Sequence, residues 1–185
     1  SEEYKHPNQW LAVEDLYWKL LNRAPLDAGL TYWTNELERG VSLPTVIWEF
    51  INSAEFKAIY PDGLTVTQYF QKFLGRNPLA DGLAYWNAKI TENPYNVAHM
   101  IDIMLASTEY LELNRDRYIT DLLAEVYKRA PTPLELEAAI TQFENGASLN
   151  HIAYVAASSL VDTGAAHIDE GNDRLLGWAL PSTTW

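Results

Sequence analysis

The chain has 185 residues, 48% of them hydrophobic and 21% charged, which is the profile of a folded globular protein long enough for one or two domains. A formal charge of −12 sets it against phosphate backbones, so no nucleic-acid partner is expected. It has no cysteine, which excludes disulfides, zinc–thiolate sites and thiol catalysis.

The first legible element is an apolar helix, "LYWKLLNR" (Leu16–Arg23), with Pro25 as its expected stop because the ring lacks an N–H. A second helix is predicted just after Pro25, within "RAPLDAGLTYW" (Arg23–Trp33), with Asp27 in its first turn, where the helix dipole favours negative charge. Gly40 ends it. Ser42 is placed to cap a third helix whose Val46, Ile47, Phe50 and Ile51 form one apolar face, with "INSAEF" (Ile51–Phe56) at its end.

The same order then returns. "YFQKFLGR" (Tyr69–Arg76) leads into "RNPLADGLAYW" (Arg76–Trp86), fifty-three residues after the first copy, with Asp81 in the first turn and Asn93-Pro94 as the stop. "LASTEY" (Leu105–Tyr110) comes next, displaced by one inserted residue. A third, degraded copy begins at "LAEVYKRAPTP" (Leu123–Pro133). It keeps Arg129 and Pro131 but has Glu135-Leu136 and Ala138-Ala139 at the Gly-Leu and Tyr-Trp positions. Thr132 and Glu135 form a capping box with Pro133 at the first helical position, Gly146 is the stop, and Ser148 is the next cap.

No strand pattern is legible. The chain is predicted to be all-α: about eight short helices in a compact bundle over 1–160, built from repeat units at about 11–60, 64–113 and 118–160. Such helices are too short to stand alone and must bury their apolar faces on one another. Residues 161–185 are polar and glycine-rich, and are expected to form a loop-rich tail held on the body by Leu175, Leu176 and Trp178.

Two constellations invite a role. Arg23 and Arg76 each close a helix, and Glu55 and Glu109 recur at matched positions; an arginine fork can hold a carboxylate with two parallel hydrogen bonds, so Arg23–Glu55 and Arg76–Glu109 are predicted to be structural ion pairs. In the third copy Arg129 remains, but Val161 stands at the glutamate position. The second constellation is the repeated Tyr-Trp. Adjacent helical residues point about 100° apart, so one ring is expected to face the core and the other to lie near the boundary, with Trp33 and Trp86 as structural packing. The other reading is sugar stacking by Tyr32, Trp33, Tyr85 and Trp86, with Asn35, Asn87, Asp27 and Asp81 supplying hydroxyl contacts.

Arg-x-Pro followed by Gly-Leu-x-Tyr-Trp, then Asn-Ser-x-Glu-Phe after a stop, resembles the bacterial repeat family called domain of unknown function 4214. The likeness covers Leu16–Tyr110 well and Leu123–Leu160 weakly. The family usually places Asp directly after Pro; here Leu26 and Leu79 intervene. The resemblance implies a helical bundle similar to phycobilisome linker domains, carried by surface-layer proteins, adhesins or type I-secreted proteins. It therefore implies a secreted or cell-surface module that binds a glycan, lipopolysaccharide or protein partner. It carries over no catalytic residue.

"DEGNDRLLG" (Asp169–Gly177) resembles a single calcium-binding nonapeptide, with Asp173 as the candidate calcium ligand; a plain Gly-Asn turn is the alternative. No other cofactor is expected. His6, His99, His151 and His167 lack metal-ligand spacing, and no nucleophile elbow, phosphate loop or dinucleotide fingerprint is present, so no enzyme is expected. No run is long and apolar enough to span a bilayer, and the polar faces are acidic, so membrane insertion is not expected. Lys19, Arg23, Lys72 and Arg76 could form a basic patch for an anionic glycan if the arginines are not held by glutamate. The expected function is a noncatalytic extracellular interaction module; a spacer or self-assembly domain is the alternative, and a wall-polysaccharide hydrolase a more distant one.

Overall fold

The computed structural model describes residues 9–162, and every regular element among them is helical. The order is α1 (Gln9–Leu21), α2 (Asp27–Glu38), α3 (Leu43–Asn52), α4 (Ala54–Ile59), α5 (Val66–Leu74), α6 (Ala80–Glu92), α7 (Asn96–Ala106), α8 (Thr108–Tyr127), α9 (Pro133–Glu144) and α10 (Leu149–Asp162). The all-α class holds, with ten helices among the described residues where about eight are expected. The extra elements come from Ser53 and Ser107. Each takes extended backbone, at φ −63° and −72°, and its hydroxyl accepts the N–H three residues on, Phe56 or Tyr110. Each therefore ends one helix and caps the next.

The chain divides into two compact units, Ser1–Leu113 and Asn114–Trp185. In the first, α1 packs on α2, α3 and α4, while α5 packs on α6 and α7. The two copies join through α3 and α7, which are equivalent helices. Val46, Ile47, Phe50 and Ile51 on α3 match Met100, Ile101, Met104 and Leu105 on α7, and all eight side chains are buried. Fully burying an aliphatic or aromatic side chain of this size stabilises by about 1.5–3 kcal/mol, so this seam is the main adhesive between copies. A polar contact also ties them together: the buried Tyr110 hydroxyl donates to the buried Asp15 carboxylate of α1.

In the second unit α9 packs on α10. The Thr132–Glu135 capping box forms: Glu135 N–H donates to Thr132 Oγ1 (3.3 Å) and Thr132 N–H to Glu135 Oε2 (2.7 Å). A second box forms at Thr65–Gln68 on α5, and the T-x-x-Q spelling is its signal.

Two expectations need correction. The first helix of each copy stops before the proline acts. The residue preceding each arginine is left-handed, Asn22 at φ 55°, Gly75 at 66° and Lys128 at 54°, and that residue turns the chain. Helix α8 runs unbroken through 114–117, because no Gly or Pro interrupts Thr108–Tyr127. Residues 161–162, assigned to the tail, complete α10. The rest of that tail, with Asp173, Leu175, Leu176 and Trp178, lies outside the described residues.

Candidate functional site

Three arginine forks orient the turns that start α2, α6 and α9. Arg23 Nε donates to Glu55 Oε1 (2.5 Å) and Nη2 to Oε2 (2.9 Å). Arg76 repeats this on Glu109 at 2.5 and 2.8 Å. Each of these two arginines also donates from Nη1 to the carbonyl of the next residue, Ala24 or Asn77, at 3.1 Å. Each lies over an aromatic ring six residues back: Arg23 over Tyr17 at 4.9 Å and Arg76 over Phe70 at 5.5 Å. The hydrogen bonds from the guanidinium hold the Glu55 and Glu109 carboxyls below their ordinary range. About two-fifths of each of these four side chains is exposed, so each fork locks geometry more than it adds stability.

The third copy keeps the fork and changes the carboxylate. Arg129 binds Glu135 with Nη2 at 2.7 Å and Nη1 at 2.9 Å, and Nη1 also reaches the Ala130 carbonyl at 2.9 Å. Glu135 stands where the first two copies have Gly29 and Gly82. The acid has moved from the third-helix segment to the first turn of the second helix. There Arg129, and after it the Thr132 N–H, hold its carboxyl down at about 2. Loss of the acid at Val161 is the signal that a substitute is needed, and the appearance of an acid at a glycine position is where to find it.

These forks engage Arg23 and Arg76, and Lys72 lies over the Tyr60 ring at 5.0 Å. The basic patch suggested with Lys19 therefore does not assemble as four available cations.

The Tyr-Trp pairs sit at the surface. Tyr32 and Tyr85 are each 54% exposed, while Trp33 and Trp86 are half-buried beneath them. Each tyrosine meets its tryptophan edge-on: 4.9 Å and 76° in the first copy, 5.1 Å and 81° in the second. Trp33 continues inward to Phe50 at 5.5 Å. In both copies the tryptophan is thus a half-buried base and the tyrosine an outward ridge.

The polar neighbours do not repeat. Side chains three and four residues apart share a helix face. On α2 this puts Asn35 and Glu36 beside Tyr32 and turns Asp27 away. On α6 it puts Asp81 and Lys89 beside Tyr85 and turns Asn87 to another side, with Ala88 in the Asn35 place. Of the eight residues proposed for sugar contact, Asp27 and Asn87 therefore lie off the tyrosine faces, and the remaining six belong to two unlike ridges. Behind Tyr32, Arg39 donates to Glu36 at 2.7 Å; behind Tyr85, Lys89 donates to Glu92 at 2.9 Å. The charge order is reversed between the two, which a search for matching residues passes over.

Among the described residues no group of three or more His, Asp or Glu is placed to hold a metal, and no helix is long and apolar enough to cross a membrane. The candidate calcium ligand Asp173 lies outside those residues.

Residues 2–60 match the family model described as Domain of unknown function (DUF4214), a span that contains the first repeat and its Arg23, Tyr32, Trp33 and Glu55. No curated protein and no solved structure matches the chain.

Proposed function

We propose that this protein is a noncatalytic interaction module of a bacterial secreted or cell-surface protein, and that the tyrosine ridges of α2 and α6 are its contact surface. The observation that carries this reading is the equal exposure of Tyr32 and Tyr85, 54% each, over half-buried tryptophans at one register of two equivalent helices. A large amphipathic ring held outside twice at one register is well suited to binding, since one face is apolar and the hydroxyl is polar. The family resemblance of the first repeat supports an extracellular setting.

The ligand class we propose is a cell-surface glycan such as lipopolysaccharide. Aromatic faces stack on sugar rings, and Asn35 and Asp81 stand beside the two tyrosines to receive hydroxyls. A chain of net charge −12 reaches an anionic glycan through bridging cations, so calcium is expected to strengthen binding. The test is a glycan array and a lipopolysaccharide pull-down, with and without calcium, comparing wild type with Tyr32→Ala/Tyr85→Ala. Binding that the double variant loses supports the reading; no binding to any saccharide removes the glycan as ligand. A second reading, assembly with other protein copies, is favoured by the reversed charges on the two ridges.

A further inference from the structure

The geometry points to a second copy of this chain as a partner of the ridges, with the α2 ridge of one molecule lying along the α6 ridge of the next. The inference rests on the reading of the ridges as contact surfaces and names what they contact. The ridges share a tyrosine at one register and differ in the residues beyond it. Four residues on stands Glu36 in α2 and Lys89 in α6; seven residues on stands Arg39, the residue that caps the C-terminal end of α2, and Glu92 in α6. Each pair already forms a local ion pair, at 2.7 and 2.9 Å, so each ridge presents an ordered pair of charges, acid-then-base at the end of α2 and base-then-acid at the end of α6. Arg39 and Glu92 are the most open of the four, at 73% and 65% side-chain exposure.

Laid parallel and in register, the two ridges match at every position. Tyr32 meets Tyr85, Glu36 meets Lys89, and Arg39 meets Glu92. No self-pairing of one ridge does this. Two α2 ridges laid parallel set like charge on like charge. Laid antiparallel with Glu36 against Arg39, they carry Tyr32 past the end of the partner helix to the level of Leu43, which is buried. The α6 side also has surface to offer, since no side chain of that helix is fully buried. An α2-to-α6 contact is heterologous: it uses a different patch on each molecule and leaves one of each unused, so copies add head to tail.

The test is sedimentation velocity of the full chain up to about 1 mM, the range of weak association, at low and high salt. Two charge-swapped variants, E36K/R39E and K89E/E92R, each keep a local opposite-charge pair, and melting curves report whether they fold. The wild type is expected to form a concentration-dependent series of species that salt weakens. Each swap alone is expected to weaken association by roughly tenfold or more, through like-charge contact. An equimolar mixture of the two swaps, whose ridges are complementary, is expected to associate again, as is the quadruple swap within one chain. A wild type that stays monomeric throughout overturns the inference, and so does association that stops at a dimer and survives either swap. The glycan experiment separates the two levels: saccharide binding without association removes this inference and leaves the contact-surface reading standing. Failure of both removes both.

Discussion

Helices α2 and α6 carry the same Gly-Leu-x-Tyr-Trp motif, yet they are held differently. Helix α2 buries Thr34 and Leu37, and its Gly29 lies so close to the Tyr17 hydroxyl that a Cβ there would sit 2.5 Å from that oxygen. Helix α6 buries no residue fully, and a Cβ on Gly82 would meet nothing within 4 Å. The residue aligned with Tyr17 is Phe70, which lacks the hydroxyl. The hydroxyl outside the motif makes the tightest approach to Gly29, with the ring carbon that bears it at 3.4 Å, whereas the space around Gly82 is open. The duplication preserved the skeleton of forks, caps and tyrosine ridges, and substitutions around it set how tightly each second helix is packed.

The largest expected effect comes from that contrast. Gly29→Ala should destabilise by about 2 kcal/mol, the cost of an overpacked site, because Tyr17 is pinned edge-on against Phe50 at 4.9 Å and beneath Arg23. Gly82→Ala should be neutral or stabilising by up to about 1 kcal/mol, from helix propensity. Chemical denaturation of both variants, and of Gly29→Ala in a Tyr17→Phe background, checks this. If Tyr17→Phe fails to recover most of the loss, the hydroxyl is not the cause.

A smaller effect is expected at the polar tie between copies. Tyr110 occupies the place of Phe56 in the first copy, and Tyr110→Phe removes a buried donor from Asp15. A loss of about 1–2 kcal/mol in denaturant unfolding is expected; an unchanged midpoint would show that Asp15 is satisfied without it.

The forks should matter less and equally. Arg23→Ala and Arg76→Ala are each expected to cost about 1 kcal/mol or less, as for half-exposed ion pairs; a large difference between them would break the equivalence of the copies. Acid should separate the third fork from a bare carboxylate. A carboxyl whose folded value is depressed contributes stability above its unfolded value and loses it as pH falls through the folded one. For Glu135 that window runs from 4.5 down to about 2. A carboxyl titration by NMR should find its midpoint near the lower value, and Arg129→Ala should return it toward the ordinary one.

Much of this skeleton is legible in the sequence, for physical reasons that can be named. The Arg23–Glu55 and Arg76–Glu109 forks are written twice, 32 and 33 residues apart, and a bidentate pair suits those two residue types. The caps at Ser42, Thr132 and Ser148 are legible because their bonds span three residues. The left-handed stop at Lys128 is not, since lysine gives no sign of positive φ, whereas Gly75 and, more weakly, Asn22 do. Nor is the Asp15–Tyr110 contact, which joins residues ninety-five positions apart. The Tyr-Trp pairs are half legible. Their period separates an inner from an outer ring, but which ring faces out depends on where the neighbouring helices lie.

The central claim is that the outward tyrosines are contact surface and not core. Tyr32→Ala/Tyr85→Ala tests it most directly, with stability and binding measured on the same preparation. The expected result is a loss of no more than about 1 kcal/mol per site, from the edge-on ring contacts, together with loss of glycan binding and of self-association. A protein that unfolds as after a core truncation, by about 3–5 kcal/mol per aromatic ring removed, or one that keeps its binding intact, would contradict it.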